Sequence, residues 1–181
     1  TVGGITGYNS ATISNSYSLG DVTGTGDYVG GAVGQNYKTL EKCYSTGNVT
    51  GTGTHVGGFA GDVARSSNSN KITDCYTTNQ ELDFYGANTK GGTVSGCHGA
   101  NDQTGVTGHA DDPTWFENGE NLSFLGDEFD TSIIPPDLKS NRRPVPPPPP
   151  TEEGIQFQIG ANSGQENTLT INTNFSLKSF D

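Results

Sequence analysis

The sequence contains no Met, only three Cys and one Trp, and few of the bulky apolar residues that fill a globular core. Leu, Ile, Val and Phe make up about 19% of its 181 residues, which is below the level usual for a packed globule. No run approaches the ~18 consecutive apolar residues of a transmembrane helix, so we expect no membrane insertion of this stretch. The missing Met, initiator included, leads us to expect an internal piece of a longer protein.

Positive charge is also scarce. Nine Lys and Arg stand against 20 Asp and Glu, which gives a formal net charge of −11. Because no basic stripe is available to meet a phosphate backbone, we expect no nucleic-acid partner. The acidity is concentrated after residue 98, since residues 1–98 carry only 7 acidic and 5 basic residues. Composition alone would predict disorder.

An internal repeat contradicts that expectation. Val2-Gly3-Gly4 recurs as Val29-Gly30-Gly31 and as Val56-Gly57-Gly58, in two steps of 27 residues. A second series shares an apolar residue, then Ser or Cys, then Tyr or His, at spacings of 27, 32 and 22 residues. Its members are Ile13-Ser14-Asn15-Ser16-Tyr17, Leu40-Glu41-Lys42-Cys43-Tyr44, Ile72-Thr73-Asp74-Cys75-Tyr76 and Val94-Ser95-Gly96-Cys97-His98. The later repeats therefore absorb an insertion, around Arg65 to Asn70, and then a deletion.

The repeat predicts an all-β fold, specifically a parallel β-solenoid (β-helix) of about four coils. The unit is too β-branched and Gly-rich for helices, and its apolar residues fall in clusters of two or three. No single unit can bury a face, whereas coils stacked about 4.8 Å apart build a continuous core. We expect right-handed winding, because right-handed crossovers are strongly favoured.

One position in the second series decides where its neighbours point. Strict alternation would place Ile13 and Ser16 on opposite faces, but an intervening residue in the left-handed region would turn both inward. The residues at this position are Asn15, Lys42, Asp74 and Gly96. Lys42 is the one whose type does not favour that region. The bend predicts an interior column of Cys43, Cys75 and Cys97 and an exterior ladder of Tyr17, Tyr44, Tyr76 and His98.

Two runs within the repeats carry a family resemblance. They are Tyr28-Val29-Gly30-Gly31-Ala32-Val33-Gly34 and Cys43-Tyr44-Ser45-Thr46-Gly47-Asn48-Val49-Thr50-Gly51. They resemble the GLUG repeat of bacterial surface proteins and adhesins, and the resemblance covers about residues 1–98. Where that repeat usually has Leu after the Gly pair, this sequence has Ile5, Ala32 and Phe59. The resemblance implies a secreted or cell-surface bacterial setting, and it implies no catalytic residues.

The chain after the repeats divides into further segments. Residues 99–141 have no periodicity but many bulky apolar residues, so we expect them to fold over the last coil as a cap. Asp112-Pro113 is expected to start a short helical turn that carries Trp115 inward. Residues 142–154 are predicted to form a linker, because six of the seven residues from Pro144 to Pro150 are Pro, which favours an extended rod.

The last segment, residues 155–181, alternates apolar and polar residues around a turn that contains Gly and Asn, which predicts a β-hairpin. The alternating strands are Ile155-Gln156-Phe157-Gln158-Ile159 and Leu169-Thr170-Ile171-Asn172. The stretch centred on residues 158–165 resembles flagellin, near a strand–turn–strand of its conserved inner domain. Because nothing in the sequence resembles the long flanking helices of flagellin, the resemblance does not extend to filament assembly.

The exterior ladder of Tyr17, Tyr44, Tyr76 and His98 is the candidate ligand-binding site. Outward aromatic rings at regular spacing offer apolar faces to sugar rings or to side chains of a partner, so a host glycan or surface protein is the candidate partner. The alternative is mutual stacking that shields the strand edges and binds no ligand. For the Cys column we expect buried free thiols, because collinear sulfurs about 4.8 Å apart suit neither a disulfide nor zinc.

No arrangement typical of catalysis is found. No acidic column forms at the positions of Glu41 or Asp74, so we predict no carboxylate pair at the ~5–9.5 Å used by glycosidases. His55, His98 and His109 stand apart from any nucleophile signature. We therefore expect no enzyme activity, no cofactor and no metal site.

The sequence favours a non-catalytic structural or adhesive module that mediates attachment or acts as a stalk. Two alternatives stay open. One is an accessory domain of a surface-bound peptidase or polysaccharide-active enzyme. The other is a flagellin-like filament component. The sequence does not indicate an oligomeric state.

Overall fold

Strands of two to four residues alternate with turns in residues 1–63 and 70–108 of the computed structural model, which describes residues 1–63 and 70–141. The strands are short because pairs of β-branched or aromatic residues, which favour extended backbone, are separated by Gly, Ser and Asn. Each turn redirects the chain around the coil, and 27 residues return it to the strand above its start.

The strands fall into successive windings. The first contains β1 (Val2–Gly3), β2 (Thr6–Asn9), β3 (Ile13–Ser14), β4 (Tyr17–Ser18) and β5 (Val22–Gly24). The second contains β6 (Tyr28–Gly30), β7 (Val33–Asn36), β8 (Thr39–Glu41), β9 (Tyr44–Ser45) and β10 (Val49–Gly51). The third contains β11 (His55–Gly57), β12 (Ala60–Asp62), β13 (Lys71–Thr73) and β14 (Tyr76–Thr77). The last strands are β15 (Tyr85–Ala87), β16 (Thr93–Ser95), β17 (Cys97–Gly99) and β18 (Val106–Gly108).

Equivalent strands of successive windings pair in parallel and in register. Val29 lies between Val2 and Val56, and Leu40 lies between Ile13 and Ile72. The sheets that run along the stack are β1-β6-β11, β5-β10, β2-β7-β12-β15, β3-β8-β13-β16 and β4-β9-β14-β17-β18. The predicted all-β parallel solenoid is confirmed, while its right-handedness stays a prediction.

The fourth winding is shorter than the others, because the chain passes directly from β14 to β15 and adds no strand to two of the sheets. This shortcut accounts for the 22-residue spacing between Cys75 and Cys97. The solenoid also continues one strand beyond residue 98, since β18 pairs with β17. The insertion in the third repeat falls outside the described residues, apart from Asn70.

The repeated Gly residues allow close backbone approach. A Cβ on Gly30 would lie 2.2 Å from the Val33 carbonyl oxygen and 2.6 Å from the Gly61 nitrogen. Gly3 and Gly57 have the equivalent carbonyl contacts in the first and third windings, at 2.3 and 2.1 Å. Because real Cβ atoms do not come this close to backbone, a side chain here would push apart the strands on either side of the turn.

The interior is an apolar column between the sheets. Its fully buried members include Leu40, Ile72, Phe59, Phe84 and the three Cys residues. The Phe59 and Phe84 rings stack with centroids 4.7 Å apart, so the side-chain register follows the backbone register. A second cluster of Val22, Val29 and Val49 fills the space between β5-β10 and β1-β6-β11.

One corner of the coil is held by buried amides. Asn9 Nδ2 donates to Asn36 Oδ1 at 2.8 Å, and Asn36 Nδ2 donates to the Lys38 carbonyl at 2.7 Å. In the next winding, Asn70 Nδ2 donates to the Asn36 carbonyl at 3.4 Å. Buried amides of this kind satisfy turn backbone that water cannot reach.

Residues 110–141, called the strap below, leave the solenoid after β18. The strap contains three 3₁₀ helices and one antiparallel strand pair: η1 (Pro113–Glu117), η2 (Ser123–Leu125), β19 (Phe129–Asp130), β20 (Asp137–Leu138) and η3 (Lys139–Asn141). The helical turn predicted after Asp112 is confirmed. Its buried residue is Phe116, while Trp115 is half-buried.

The cap expected from residues 99–141 differs from the structure in its placement. Residues 99–108 extend the solenoid, and the Gln103 side chain closes the edge of β15 by accepting from the Tyr85 N–H at 3.1 Å and donating to the Tyr85 carbonyl at 3.0 Å. The strap instead packs on the flank of the stack, where the aromatic ladder offers it an apolar surface. The predicted linker 142–154 and hairpin 155–181 lie outside the described residues. In the part of the chain that the structure describes, no helix has the length and apolar character to cross a membrane.

Candidate functional site

The exterior ladder is set in place by the bend that precedes each of its members. Asn15, Lys42, Asp74 and Gly96 have φ angles of 48°, 52°, 53° and 61°. The predicted left-handed position is therefore confirmed in all four repeats, including Lys42. The bend turns Cys43 and its equivalents into the interior and leaves the next residue on the outer face.

The rings of the ladder stack on one another along the solenoid axis. The Tyr17 and Tyr44 centroids are 5.0 Å apart with planes 8° from parallel, and those of Tyr44 and Tyr76 are 4.8 Å apart at 11°. These distances match the spacing of paired strands, about 4.8 Å. His98 occupies the next backbone register position, so all four predicted residues are brought together.

The prediction that this ladder is exposed is wrong for its two central members. Tyr44 is 0% exposed and Tyr76 is 1% exposed, while Tyr17 and His98 are half-buried. The strap covers them, because it carries apolar side chains that an aromatic surface can shelter from water. In this structure the ring faces of Tyr44 and Tyr76 are not available to a sugar or a partner.

The strap crosses the ladder from its last member to its first. Phe116 lies 5.6 Å from the Tyr76 ring and Phe124 lies 6.2 Å from it, edge-on. Further along, Phe129 packs at 5.8 Å from Tyr44 and at 6.4 Å from Tyr17. Leu122 and Leu125 of the strap are fully buried in the same cluster. One segment thus contacts the successive windings of the stack.

Hydrogen bonds fix the end of the strap on the first two windings. The Tyr17 hydroxyl donates to Asp137 Oδ1 at 2.8 Å, and the Tyr44 hydroxyl donates to the Pro136 carbonyl. Asn141 Nδ2 donates to the Tyr17 oxygen at 3.3 Å and to Asp137 Oδ1 at 3.0 Å. The hydrogen bond to Asp137 raises the pKa of Tyr17, and burial raises the pKa of Tyr44 and of Tyr76. All three phenols are held in their neutral form.

The interior column contains the predicted thiols. Cys43, Cys75 and Cys97 are fully buried and free, and the Cys43 N–H donates to Cys75 Sγ at 3.4 Å. Burial raises the pKa of Cys75 well above its usual range, which disfavours the reactive thiolate of that residue, whereas the hydrogen bond with Cys75 lowers the pKa of Cys43. Because all three side chains are fully buried, the column packs as small apolar side chains.

A second set of stacked rings lies outside the strap and was missed in the sequence. The Tyr8 and Tyr37 centroids are 4.7 Å apart, and those of Tyr28 and His55 are 4.9 Å apart at 9°. Tyr8 is 50% exposed. Burial, and then the charges of Tyr8, Asp62 and Tyr28, raises the pKa of Tyr37. We call Tyr8, Tyr28, Tyr37 and His55 the open aromatic flank; Tyr8 is its exposed member and the other three are half-buried.

A sequence signal exists for only one of these pairs. Tyr28 and His55 are 27 residues apart and pair directly, so the repeat spacing could have found them. Tyr8 pairs with Gln35 in the backbone register, whereas its ring reaches Tyr37, two residues further on. Diagonal contacts of this kind leave no trace in the spacing.

Several carboxylates of the described residues form local hydrogen bonds. Asp21 accepts from the Asn48 N–H at 2.8 Å, Asp83 accepts from Asn101 at 2.9 Å, and the buried Asp62 accepts from the Thr89 N–H at 3.1 Å and hydroxyl at 2.9 Å. Within residues 1–63 and 70–141, no group of three or more His, Cys, Asp or Glu is placed to hold a metal ion. What the described residues offer on the outside of the solenoid is stacked aromatic rings.

Comparison with known proteins agrees with the resemblance seen in the sequence. Residues 25–50 match the family model described as the GLUG motif. No curated protein and no solved structure matches the chain. The match spans the second winding, and the same Gly and Tyr positions recur in the windings on either side. The fold is a parallel β-solenoid, and its second winding carries the GLUG motif. This combination is consistent with a repeat domain of the surface or structural type. The match does not reach residues 155–181, so the resemblance to flagellin stays a prediction.

Proposed function

We propose that the chain is a non-catalytic structural module of a secreted or cell-surface bacterial protein, in which the solenoid acts as a stalk and one of its flanks as an adhesive surface. The observation that carries the stalk is the strap. It contacts Tyr17, Tyr44, Tyr76 and His98, which belong to four successive windings.

The strap matters because of how solenoids fail. Each winding of a solenoid contacts only its neighbours, so its stability is a sum of local terms and terminal windings can peel away singly. The strap is hydrogen-bonded to the first winding and buried against the third. It therefore links the stability of two windings that do not contact each other. Such coupling suits a domain that must transmit force without unwinding.

The stalk is tested by pulling the complete chain from its ends in a single-molecule force experiment. We expect the described windings and the strap to unfold together in one event. Leu125→Ala, which removes a fully buried strap side chain, should lower the unfolding force. The matched control is Ile133→Ala, in the same strap but 41% exposed, and it should leave the force unchanged. Unfolding winding by winding, or equal forces for the two variants, would contradict the role.

The adhesive role rests on the open aromatic flank. Aromatic side chains that combine an apolar ring with a polar hydroxyl are suited to surfaces that are wet on one side, and Tyr8 is among the most exposed large side chains of the described residues. Since each pair is stacked along the axis, a partner would meet ring edges, hydroxyls and the outer face of Tyr8. A host glycan or a surface protein is the partner class that we propose.

An array of glycans and extracellular-matrix proteins probed with the intact chain tests this role. We expect binding that is lost in Tyr8→Ala and Tyr37→Ala but retained in Leu19→Ala, whose side chain is 49% exposed and aliphatic. Absence of binding, or equal binding by all three variants, would contradict adhesion through this flank. Turnover of a peptide or polysaccharide by the chain would contradict the non-catalytic role and favour an enzyme-associated one.

A further inference from the structure

Two imidazoles meet at the point where the strap leaves the solenoid. His98 lies in β17, at the last rung of the aromatic ladder, and His109 directly follows β18. His98 Nδ1 and His109 Nε2 are 3.0 Å apart, within hydrogen-bond distance. Both rings are half-buried. The contact therefore joins the last member of the ladder to the residue that immediately precedes the strap.

Trp115, in the first helix of the strap, is stacked on both rings. Its centroid lies 3.8 Å from that of His109 and 4.5 Å from that of His98. Phe124 from the second helix lies 4.7 Å from His98. The first two helices of the strap thus contact the pair of imidazoles directly.

The number of protons bound to His98 and His109 determines whether the two rings can stay hydrogen-bonded. One nitrogen must donate and the other must accept, so the contact is satisfied with both rings neutral or with a single extra proton. When both rings are protonated, two N–H groups and two positive charges face each other at 3.0 Å. That state has no hydrogen bond and is repelled in a site with little water.

The surrounding charges order the two steps. Asp112 and Asp102 favour the charged form of His109, although burial outweighs them and lowers the pKa of His109 below its ordinary value. Burial, and then the charge of His109, lowers the pKa of His98 to about 4. Asp111 lines the same cavity as His109. The aromatic groups next to the pair are uncharged at acidic pH: Tyr76, Trp115, Phe116 and Phe124. The first proton therefore goes to His109 and the second to His98.

We propose that His98 and His109 form an acid-operated latch, in which the second proton separates the imidazoles, releases Trp115 and lifts the strap from the aromatic ladder. The chain would then present Tyr76 and Tyr44 to a partner in an acidic setting and keep them covered at neutral pH.

The direction of the pH dependence follows from linkage. Both His residues bind protons less readily in the closed form than in an unfolded chain, where the ordinary value is about 6.5. The closed form is therefore fully favoured above that value, and the preference is lost as the pH falls toward about 4. Proton uptake accompanies release, so acid drives the opening.

Trp115 reports on the latch, since it is the single Trp of the chain. Acrylamide quenching of its fluorescence is measured on the complete chain between neutral pH and about pH 4. We expect the quenching constant to rise toward that of the denatured chain, with an emission shift to longer wavelength. His109→Gln should weaken this rise and move it to lower pH, because Gln can hydrogen-bond with His98 and adds no second charge, so that only burial still opposes protonation of His98. His55→Gln, at the stack with Tyr28, is the control and should keep the wild-type transition.

Two results of the quenching measurement would overturn the latch. One is a Trp115 that stays protected at about pH 4 in the wild-type chain. The other is an acid transition that is unchanged in His109→Gln, which would assign it to carboxylates. Proton NMR titration of the wild-type His rings adds a test without any variant. We expect two separated steps shared by His98 and His109, and titration of both rings independently near the ordinary value would also contradict the proposal.

Discussion

The solenoid stacks aromatic rings on two of its flanks, and the two flanks differ in what covers them. On one flank Tyr17, Tyr44 and Tyr76 stack at 5.0 and 4.8 Å beneath the strap. On the open aromatic flank, Tyr8 and Tyr37 stack at 4.7 Å with no strap over them. The centroid distances are nearly the same, although the planes of Tyr8 and Tyr37 are 29° from parallel. Ring spacing alone therefore does not determine whether a ladder stabilises the fold or meets a partner.

The covering segment makes the difference. The strap supplies Phe116, Leu122, Leu125 and Phe129, all of which are buried against the ladder. Buried aromatic and aliphatic side chains contribute mainly through apolar area removed from water. At neutral pH, where the latch is closed, we therefore assign the covered flank to stability and the open flank to recognition, and each prediction below tests that division.

The largest expected effect is on the stability of the covered flank. Tyr44→Ala should lower the free energy of unfolding by about 3–5 kcal/mol, the usual cost of deleting a buried aromatic ring. Tyr8→Ala should cost about 1 kcal/mol or less, since it loses one stacked pair on a half-exposed ring. Urea denaturation followed by circular dichroism measures both. Similar losses in the two variants would remove the distinction between the flanks.

The second expected effect appears at alkaline pH. Burial raises the pKa of Tyr44 and of Tyr76 in the folded chain, so each phenol stabilises the fold below about pH 10, the ordinary value. This contribution to stability is lost as the pH rises above the ordinary pKa of Tyr, because the unfolded chain releases its phenol protons at lower pH than the folded chain. Thermal unfolding between neutral and alkaline pH should show a steep loss for the wild type. The loss should be smaller in Tyr44→Phe than in the wild type, and an equal slope in the two chains would contradict the assignment.

The smallest expected effect concerns the bend that positions the ladder. Gly96 has a φ of 61°, and a Cβ there would lie 2.5 Å from Asp74 Oδ1. Gly96→Ala should therefore destabilise the chain by about 1–2 kcal/mol, the cost of a left-handed residue with a Cβ. Gly20→Ala is the matched control, because no atom lies within 4 Å of a Cβ at that position. Equal melting temperatures for the two variants would indicate that the last rung does not need the bend.

Much of the fold could be predicted from the sequence because it depends on one spacing. A 27-residue step places Val29 between Val2 and Val56 and sets Tyr17 against Tyr44. The left-handed position could also be inferred, since only a bend between Ile13 and Ser16 puts both on one face. These features are local, and each of them recurs in several repeats of the sequence, which makes them recognisable.

The covering of the ladder could not be predicted for the opposite reason. The bonds from Tyr44 to Pro136 and from Tyr17 to Asp137 join residues 92 and 120 positions apart. The strap has no periodicity, so its many apolar residues indicated a cap without indicating which surface it covers. The contact of His98 with His109 and Trp115 could not be predicted either, because it depends on where the strap packs.

Chemical modification of Tyr residues tests the central claim most directly, since that claim is the burial of one aromatic ladder beneath the strap. The native chain would be treated with tetranitromethane at neutral pH, and the nitrated sites mapped by mass spectrometry. The structure predicts rapid nitration of Tyr8, which is 50% exposed, and protection of Tyr44 and Tyr76, which are 0% and 1% exposed, until denaturant is added. Nitration of Tyr44 and Tyr76 in the native chain at the rate of Tyr8 would contradict the account.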